Sequence, residues 1–393
     1  MAVQLLPELY ELILDEVPIS DLETLRACCL AASVLREPSQ KRIFSYLFIS
    51  EGSSGHSYAA IAAKMDAFPQ LCDYCIALQI DFPGDHPREW QDKQLIAERV
   101  LRRFTKVRVV DVRADCPDSF FYDQWWLFDV LQKYTSNSLK HLKLWGLDLT
   151  PTLLAKWLGA AARITLDNVR MFEVLPAELL PPVTTTRVTK LQICDYPKGS
   201  SELLGRSEFK PYLQRVGELR QVHISEQEQL ATCFSLADTL ERLELYFDRM
   251  SKPMHFPICF PRLRYLFLGF RTFDVPPFML PLIAQGVPAL VELRLRFYVQ
   301  KGNPANIEHY LGPQAQLLSD LDDALATHSA IKRAEWFVSL EYEAYFKRPV
   351  AKKQTALYVA AFREKLAARL PGTCRKGLLV VDGDTRYMWI DVF

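Results

Sequence analysis

"LERLEL", from Leu240 to Leu245, has leucine at its first, fourth and sixth positions and a charged residue at each of the others. In an extended chain successive side chains alternate between faces. Leu243 and Leu245 therefore share one face, and Arg242, Glu244 and Tyr246 share the other. The same order returns in "LKHLKL" (Leu139 to Leu144), "LRYLFL" (Leu263 to Leu268) and "LVELRL" (Leu290 to Leu295). Weaker copies are "CIALQI" at Cys75, "FTKVRV" at Phe104, "AARITL" at Ala161, "VTKLQI" at Val188, "LRQVHI" at Leu219 and "IKRAEW" at Ile331.

Successive copies start about 21 to 41 residues apart, and between them lie amphipathic stretches such as "DKQLIAERVLRRF", "YDQWWLFDVLQKY", "QEQLATCFSLADTL" and "PQAQLLSDLDDALATH". Short strand followed by helix is the predicted unit. One such unit has too little apolar surface to form a core, so the units must stack. The fold class expected is an α/β repeat, an irregular leucine-rich-repeat solenoid over residues 58–393. The rival is a doubly wound α/β sheet, whose strands are covered on both faces and read as continuous apolar runs. Here the alternate residues are polar, so one face of the sheet is wet.

The two ends of the chain differ from this pattern. "LPELYELILDEV" near the start predicts a helix opened by Pro7 and closed by Pro18, because proline fits a first helical turn and disrupts an interior. Glu8, Glu11 and Asp15 gather on a narrow arc, while Leu9, Tyr10, Ile13, Leu14 and Val17 fill a wide one and Leu12 falls beside the acids. That is more apolar surface than one packing contact uses. "SDLE", Ser20 to Glu23, reads as a capping box for a second helix running to Leu35. A third is expected after Pro38, with Ile43, Phe44 and Leu47 inward, and "EGSSGHS", residues 51–57, reads as a flexible linker. At the other end "KKQTALYVAAFREKLAARL", Lys352 to Leu370, predicts an amphipathic helix. "LLVVDGDTRYMWIDV" reads as two strands about an Asp-Gly turn. Residues 352–393 would then cap the repeat.

Residues 1–50 resemble an F-box, the helical module that docks the Skp-type adaptor of cullin-RING ubiquitin ligases, and especially F-box proteins of mushroom-forming fungi. Leu6, Pro7, Glu8 and Leu9 match the opening Leu-Pro-x-Glu-Leu pattern, Ile13 and Leu14 the apolar pair after it, and "TLRACCLAASVLREPSQKRIF" the helix-proline-basic-Phe ending. Leu35 and Ala32 stand where the family usually has Trp and Cys. The resemblance implies adaptor contacts from Leu6, Pro7, Leu9, Leu12, Ile13, Leu25, Leu30 and Leu35. It also implies a non-catalytic receptor that presents a target protein to the ligase. The plainer alternative is an interaction scaffold whose first helices cap the repeats.

Composition is compatible with either reading. Lys plus Arg and Asp plus Glu are 47 each in 393 residues, so no net field draws the chain to nucleic acid or an anionic membrane. The first residues lack a secretory signal, no apolar run nears the roughly 18 residues of a membrane span, and the nine cysteines are scattered. A cytoplasmic or nuclear setting is expected, and "KRPVAKK", Lys347 to Lys353, has an import-signal composition but is more simply a solvated loop. Catalytic patterns are missing: no phosphate loop, no nucleophile elbow, no paired metal ligands. Cys72 and Cys75 read as packing residues, and Asp320, Asp322 and Asp323 as the wet face of a helix. Neither a cofactor nor a metal is expected. If the spaced leucines point inward, the open face carries His141 and Trp145, then Arg242 and Tyr246, then Tyr265 and Phe267, then Arg294 and Arg296. Aromatic and arginine side chains dominate interface hot spots, so these are the candidate target-binding residues.

Overall fold

Within each of the protein's compact units, each long strand pairs in parallel with the next one along the chain, in the computed structural model, which describes residues 7–51, 53, 55–82, 90–114, 125–135, 138–171, 180–183, 186–194, 200–248, 253–256, 259–271, 275–300, 304–342 and 348–387. The chain divides into two compact units, Met1–Val188 and Thr189–Phe393.

The first unit opens with α1 (Pro7–Asp15), α2 (Leu22–Ala31) and α3 (Ser33–Ile43). It continues through β1 (Tyr46–Ser50), α4 (Tyr58–Ala67), β2 (Ala77–Phe82), α5 (Trp90–Leu101), β3 (Val109–Ala114), α6 (Trp125–Thr135) and β4 (His141–Trp145). The last elements are β5 (Asp148–Leu149), α7 (Pro151–Leu158), β6 (Arg163–Asp167) and β7 (Arg170–Met171). Strands β1, β2, β3, β4 and β6 form its parallel sheet in chain order, and β5 pairs with β7 beside it.

The second unit contains β8 (Lys190–Cys194), α8 (Ser200–Leu204), α9 (Lys210–Leu213), β9 (Glu218–Ile224), α10 (Ala231–Ser235), β10 (Arg242–Phe247) and β11 (Tyr265–Phe270). After these come α11 (Met279–Pro281), β12 (Glu292–Gln300), α12 (Ile307–Leu311), α13 (Ala315–Thr327), β13 (Arg333–Tyr342), α14 (Arg348–Arg369), α15 (Pro371–Arg375) and β14 (Leu379–Tyr387). The seven strands described in it again follow chain order. Among the described residues the order reverses within neither unit, as it does in a doubly wound sheet.

Parallel register explains why the leucines repeat. Leu191, Leu219, Leu243, Leu266 and Leu293 are aligned across five strands, and Leu245, Leu268, Leu295 and Trp336 across four. All are buried. Further along the strands Phe247, Phe270 and Phe297 stack with ring centroids 5.4 and 5.7 Å apart, and Trp336 stacks on Phe297 at 5.6 Å. Like side chains meet at each level, so the core of this unit is a set of apolar ladders.

At the N-terminal end several local expectations change. Asp21, not Ser20, caps α2: its carboxylate accepts from Thr24 N and Thr24 Oγ1 at 3.1 and 2.8 Å. A charged oxygen is a strong acceptor at a helix N-terminus, and these bonds hold Asp21 below the usual carboxylate range. The second helix stops at Ala31, because Ala32 is extended, and α3 begins at Ser33 and runs through Pro38. Ile43, Phe44 and Leu47 are only half-buried. Residues 46–50, read as the end of the helical module, form β1 against β2. In the stretch 51–57, read as a linker, the described residues make turn bonds: Ser50 N donates to His56 O, His56 N to Ser53 O, and Tyr58 N to Glu51 Oε1, while residues 52 and 54 lie outside the described residues.

At the C-terminal end the expected hairpin is absent. β14 runs unbroken through Asp382-Gly383-Asp384 beside β13. A β-carbon on Gly383 would lie 2.5 Å from Val338 O and 2.6 Å from Val359 Cγ2. The glycine therefore serves close approach of β14 to its neighbours, not a turn. Asp322 is buried, correcting its assignment to a wet face; it accepts from Gly372 N, Thr373 N and Thr373 Oγ1 at 2.6 to 2.7 Å. Arg348 to Lys353, read as a loop, lie in the first turns of α14. No described helix is long and apolar enough to cross a membrane.

Replacing Phe297 by Ala removes one rung of the aromatic stack from a fully buried site. The expected loss is about 3–5 kcal/mol, read as a lower denaturant midpoint with the slope unchanged.

Candidate functional site

The N-terminal helices carry unusual apolar exposure. Leu14 and Leu25 are buried, whereas Leu12, Ile13 and Leu30 are 61, 54 and 86% exposed, and Leu9, Ile19, Leu22 and Val34 are exposed too. Basic residues of α3 fix α1 in place. Arg42 donates to Asp15 Oδ1 at 2.7 Å, to the Asp15 carbonyl that ends α1 at 3.3 Å and to Val17 O just beyond it at 2.6 Å, and Lys41 pairs with Glu11 at 3.2 Å. Helix α1 thus packs through Leu14 and turns Leu9, Leu12 and Ile13 to solvent.

Of the residues expected to touch an adaptor, Leu9, Leu12, Ile13 and Leu30 are exposed and Leu35 is half-buried. Leu25 is wholly buried and faces the helices' own core, because it lies on the opposite side of α2 from Leu30. Leu6 lies outside the described residues, as does the side chain of Pro7.

On the sheet of the same unit, Trp145 is exposed and His141 half-buried, with His141 Nε2 3.0 Å from Thr165 Oγ1. Burial, then the charges of Arg163 and Lys143, push the imidazole down to about 4.

The polar face of the second unit is ordered by stacking and charge. Arg242 lies 3.8 Å above the Tyr265 ring and donates through Nε and Nη2 to Glu244 at 2.9 and 2.6 Å. Arg220 is 4.8 Å from the Tyr246 ring and 3.9 Å from the same Glu244. Across β11, Arg294 lies 4.7 Å from the Phe337 ring, with Nε 3.1 Å from Glu335, and Arg333 donates to Glu335 at 2.8 Å. Arg296 Nε donates to Ser339 Oγ at 2.7 Å and Nη2 to Asp384 at 2.8 Å, while the Ser339 hydroxyl donates to Asp384 at 2.6 Å. Cation–π stacking and charge-assisted hydrogen bonds hold these guanidiniums in place.

The structure brings Arg242, Tyr246, Tyr265, Phe267, Arg294 and Arg296 onto adjacent strands. Phe267, expected to be open, is buried at 4% exposure. Tyr246 leans over Gly269, which has no side chain to fill that position, and its ring centroid comes within 4.8 Å of that of Phe267. Sequence reading missed Arg220, Glu335, Phe337, Ser339 and Asp384. Alternation carried on through "EWFVSLEY" would have exposed Glu335, Phe337 and Ser339, but Asp384 was hidden by the hairpin reading.

Among the described residues no group of three or more His, Cys, Asp or Glu side chains is placed to hold a metal ion. Cys72 and Cys75 are buried, with Cys72 Sγ 3.1 Å from Met65 Sδ and Cys75 Sγ 3.4 Å from Ala77 O. Burial pushes both thiols up, Cys75 to about 12, which suits packing and not nucleophilic chemistry. In comparisons with known proteins, no family model and no curated protein matches the sequence.

His141 gives a titratable test of the polar face. Its folded pKa lies below the unfolded value of about 6.5, so the unfolded chain binds more protons between about pH 4 and 6.5. Stability is then full above pH 6.5 and falls as pH drops toward 4. Allowing for solvent screening at a half-exposed ring, the effect is about 1 kcal/mol. A ring-proton NMR titration of His141 should stay on the neutral plateau at pH 5.5, and His141→Asn should flatten the stability slope between pH 5.5 and 6.5.

Proposed function

We propose that this protein is a non-catalytic substrate-recognition adaptor of an SCF-type ubiquitin ligase. In this reading the helices at residues 7–43 dock a Skp-type adaptor, and through it a cullin-RING ligase. The strand-helix units, taken as an irregular leucine-rich-repeat solenoid, hold a target protein. Transfer would be accelerated by proximity, since a held target lysine meets the charged conjugating enzyme as if intramolecularly. No cofactor, membrane or nucleic acid takes part, and the setting is cytoplasmic or nuclear.

The observation that supports docking is the outward exposure of Leu9, Leu12 and Ile13 on α1 and of Leu30 on α2. Exposed apolar surface of this kind marks interaction sites, and α1 has its own packing contact through Leu14. The target-binding part draws on the aromatic and arginine side chains already ordered on the second unit, since preorganised groups lose little entropy on binding.

A second reading has its own support. The helices run into β1 through Phe44 and Ser45, with no linker, and β1 pairs with β2. That continuity is what an interaction scaffold with a helical end cap would have, without ligase assembly.

The two readings separate in one pull-down with a recombinant Skp-type adaptor. Leu9→Asp with Ile13→Asp alters exposed positions, so the variant should keep the wild-type melting temperature and lose adaptor binding at least tenfold. Folded wild type that captures no adaptor would instead favour the scaffold. In that case, removing residues 1–44 should lower the melting temperature sharply.

A further inference from the structure

The polar face of the second unit has more hydrogen-bond donors than its own acceptors can satisfy. Glu244 lies between Arg220 and Arg242, and Glu335 between Arg294 and Arg333. Each carboxylate therefore serves two guanidiniums. Glu292, half-buried on β12, aligns with Tyr265 on one side and Arg333 on the other and adds a third carboxylate. Glu218, in register between Lys190 and Arg242 and 2.8 Å from Lys190, adds a fourth carboxylate and Lys190 a fifth cation, so the patch is positive by about one charge.

The donor surplus is larger than the charge surplus. A guanidinium carries five N–H donors and a carboxylate about four acceptor sites. Four guanidiniums and the Lys190 ammonium, with three donors of its own, thus offer about twenty-three donors to about sixteen sites on four carboxylates. Arg242 directs two nitrogens to Glu244, and Arg333 directs one to Glu335. Arg220, Arg242 and Arg333 are about half exposed, so water is what now meets their outer edges.

These side chains are also held in place. Arg242 lies on Tyr265, Arg220 on Tyr246 and Arg294 on Phe337, so a ligand does not have to order them. Tyr265 and the rim of Tyr246 give apolar contact between the two clusters, on β11 and β10. An incoming carboxylate would exchange water-filled donor sites for charge-assisted bonds. A basic or neutral segment would leave those donors unpaired as water was expelled.

We infer that the segment recognised on this face is an acidic stretch of a protein, its carboxylates taken by the outer edges of Arg220, Arg242, Arg294 and Arg333. This rests on reading the face as the target-binding surface.

The test uses the full chain and two labelled peptides, one alternating glutamate with serine and one alternating glutamine with serine, followed by fluorescence anisotropy at low and physiological salt. The glutamate peptide should bind at least tenfold more tightly, and added salt should weaken it. Arg242→Gln with Arg294→Gln, checked for folding by circular dichroism, should weaken it at least fivefold. Lys210→Gln with Arg262→Gln removes the same charge elsewhere and should leave it unchanged. Glu244→Gln frees two guanidiniums and should tighten it severalfold. Equal affinities for the two peptides, binding of neither, or equal losses in the two double variants would overturn the inference. The wild-type comparison needs no variant to fold. Failure here leaves the adaptor pull-down untouched, and failure of that pull-down leaves peptide recognition standing, so the two ideas fall separately.

Discussion

Parallel, in-register pairing of each long strand with the next long strand of its own unit is the constraint on which the rest depends. It brings residue i of one unit against the equivalent residue of the next, so a position that is apolar once must be apolar each time. Leucine fills two of the levels, and phenylalanine a third, where Phe247, Phe270 and Phe297 stack. The same rule operates on the other face. There, Tyr265 beside Arg242 and Glu335 beside Arg294 are cross-strand neighbours set by register. Core and candidate surface are two phases of one alternation.

Departures from the ladder are local and have identifiable causes. In β9, His223 has a positive φ of 65° and the register with β10 shifts between Leu245 and Phe247. His223 Nδ1 then lies 3.1 Å from Asp248, which Arg271 also meets at 2.9 Å. Burial raises the Asp248 pKa, but the His223 bond and the Arg271 charge outweigh it and hold the carboxyl below its ordinary range. Gln221, at the same bulge, is buried and donates to Ser201 Oγ and Gln229 O, each at 2.8 Å. A polar residue has entered a leucine level where the strand is irregular, and its amide nitrogen finds acceptors there.

Much of this was legible in the residues. Leucine spacing located strands in both units, and amphipathic stretches located α5, α6, α13 and α14, because burial on one side imposes a period that composition cannot hide. The N-terminal helices were visible for the same reason, although their boundaries were not. Asp21 and Ser20 are equally good caps by residue type, and the chain's path decided between them. Pro38 was read as a helix start, yet α3 includes it. Leu25 and Leu30 look alike in sequence, and one is buried while the other is 86% exposed. Which leucine faces inward depends on where α3 packs.

By itself the sequence determined that strands alternate with helices, that one face of the strands is apolar, and that arginines and aromatic residues line the opposite face. These are local consequences of period-two alternation and helical periodicity. Tertiary structure alone decided that β14 continues through Asp382-Gly383-Asp384, that Asp322 is buried on Gly372 and Thr373, and that Arg296 finds Ser339 and Asp384. Each of those outcomes joins residues 43 to 88 positions apart. No local pattern encodes such a distance: the partners are chosen when the strands stack and a buried donor or carboxylate must be matched by whatever the neighbouring strand presents.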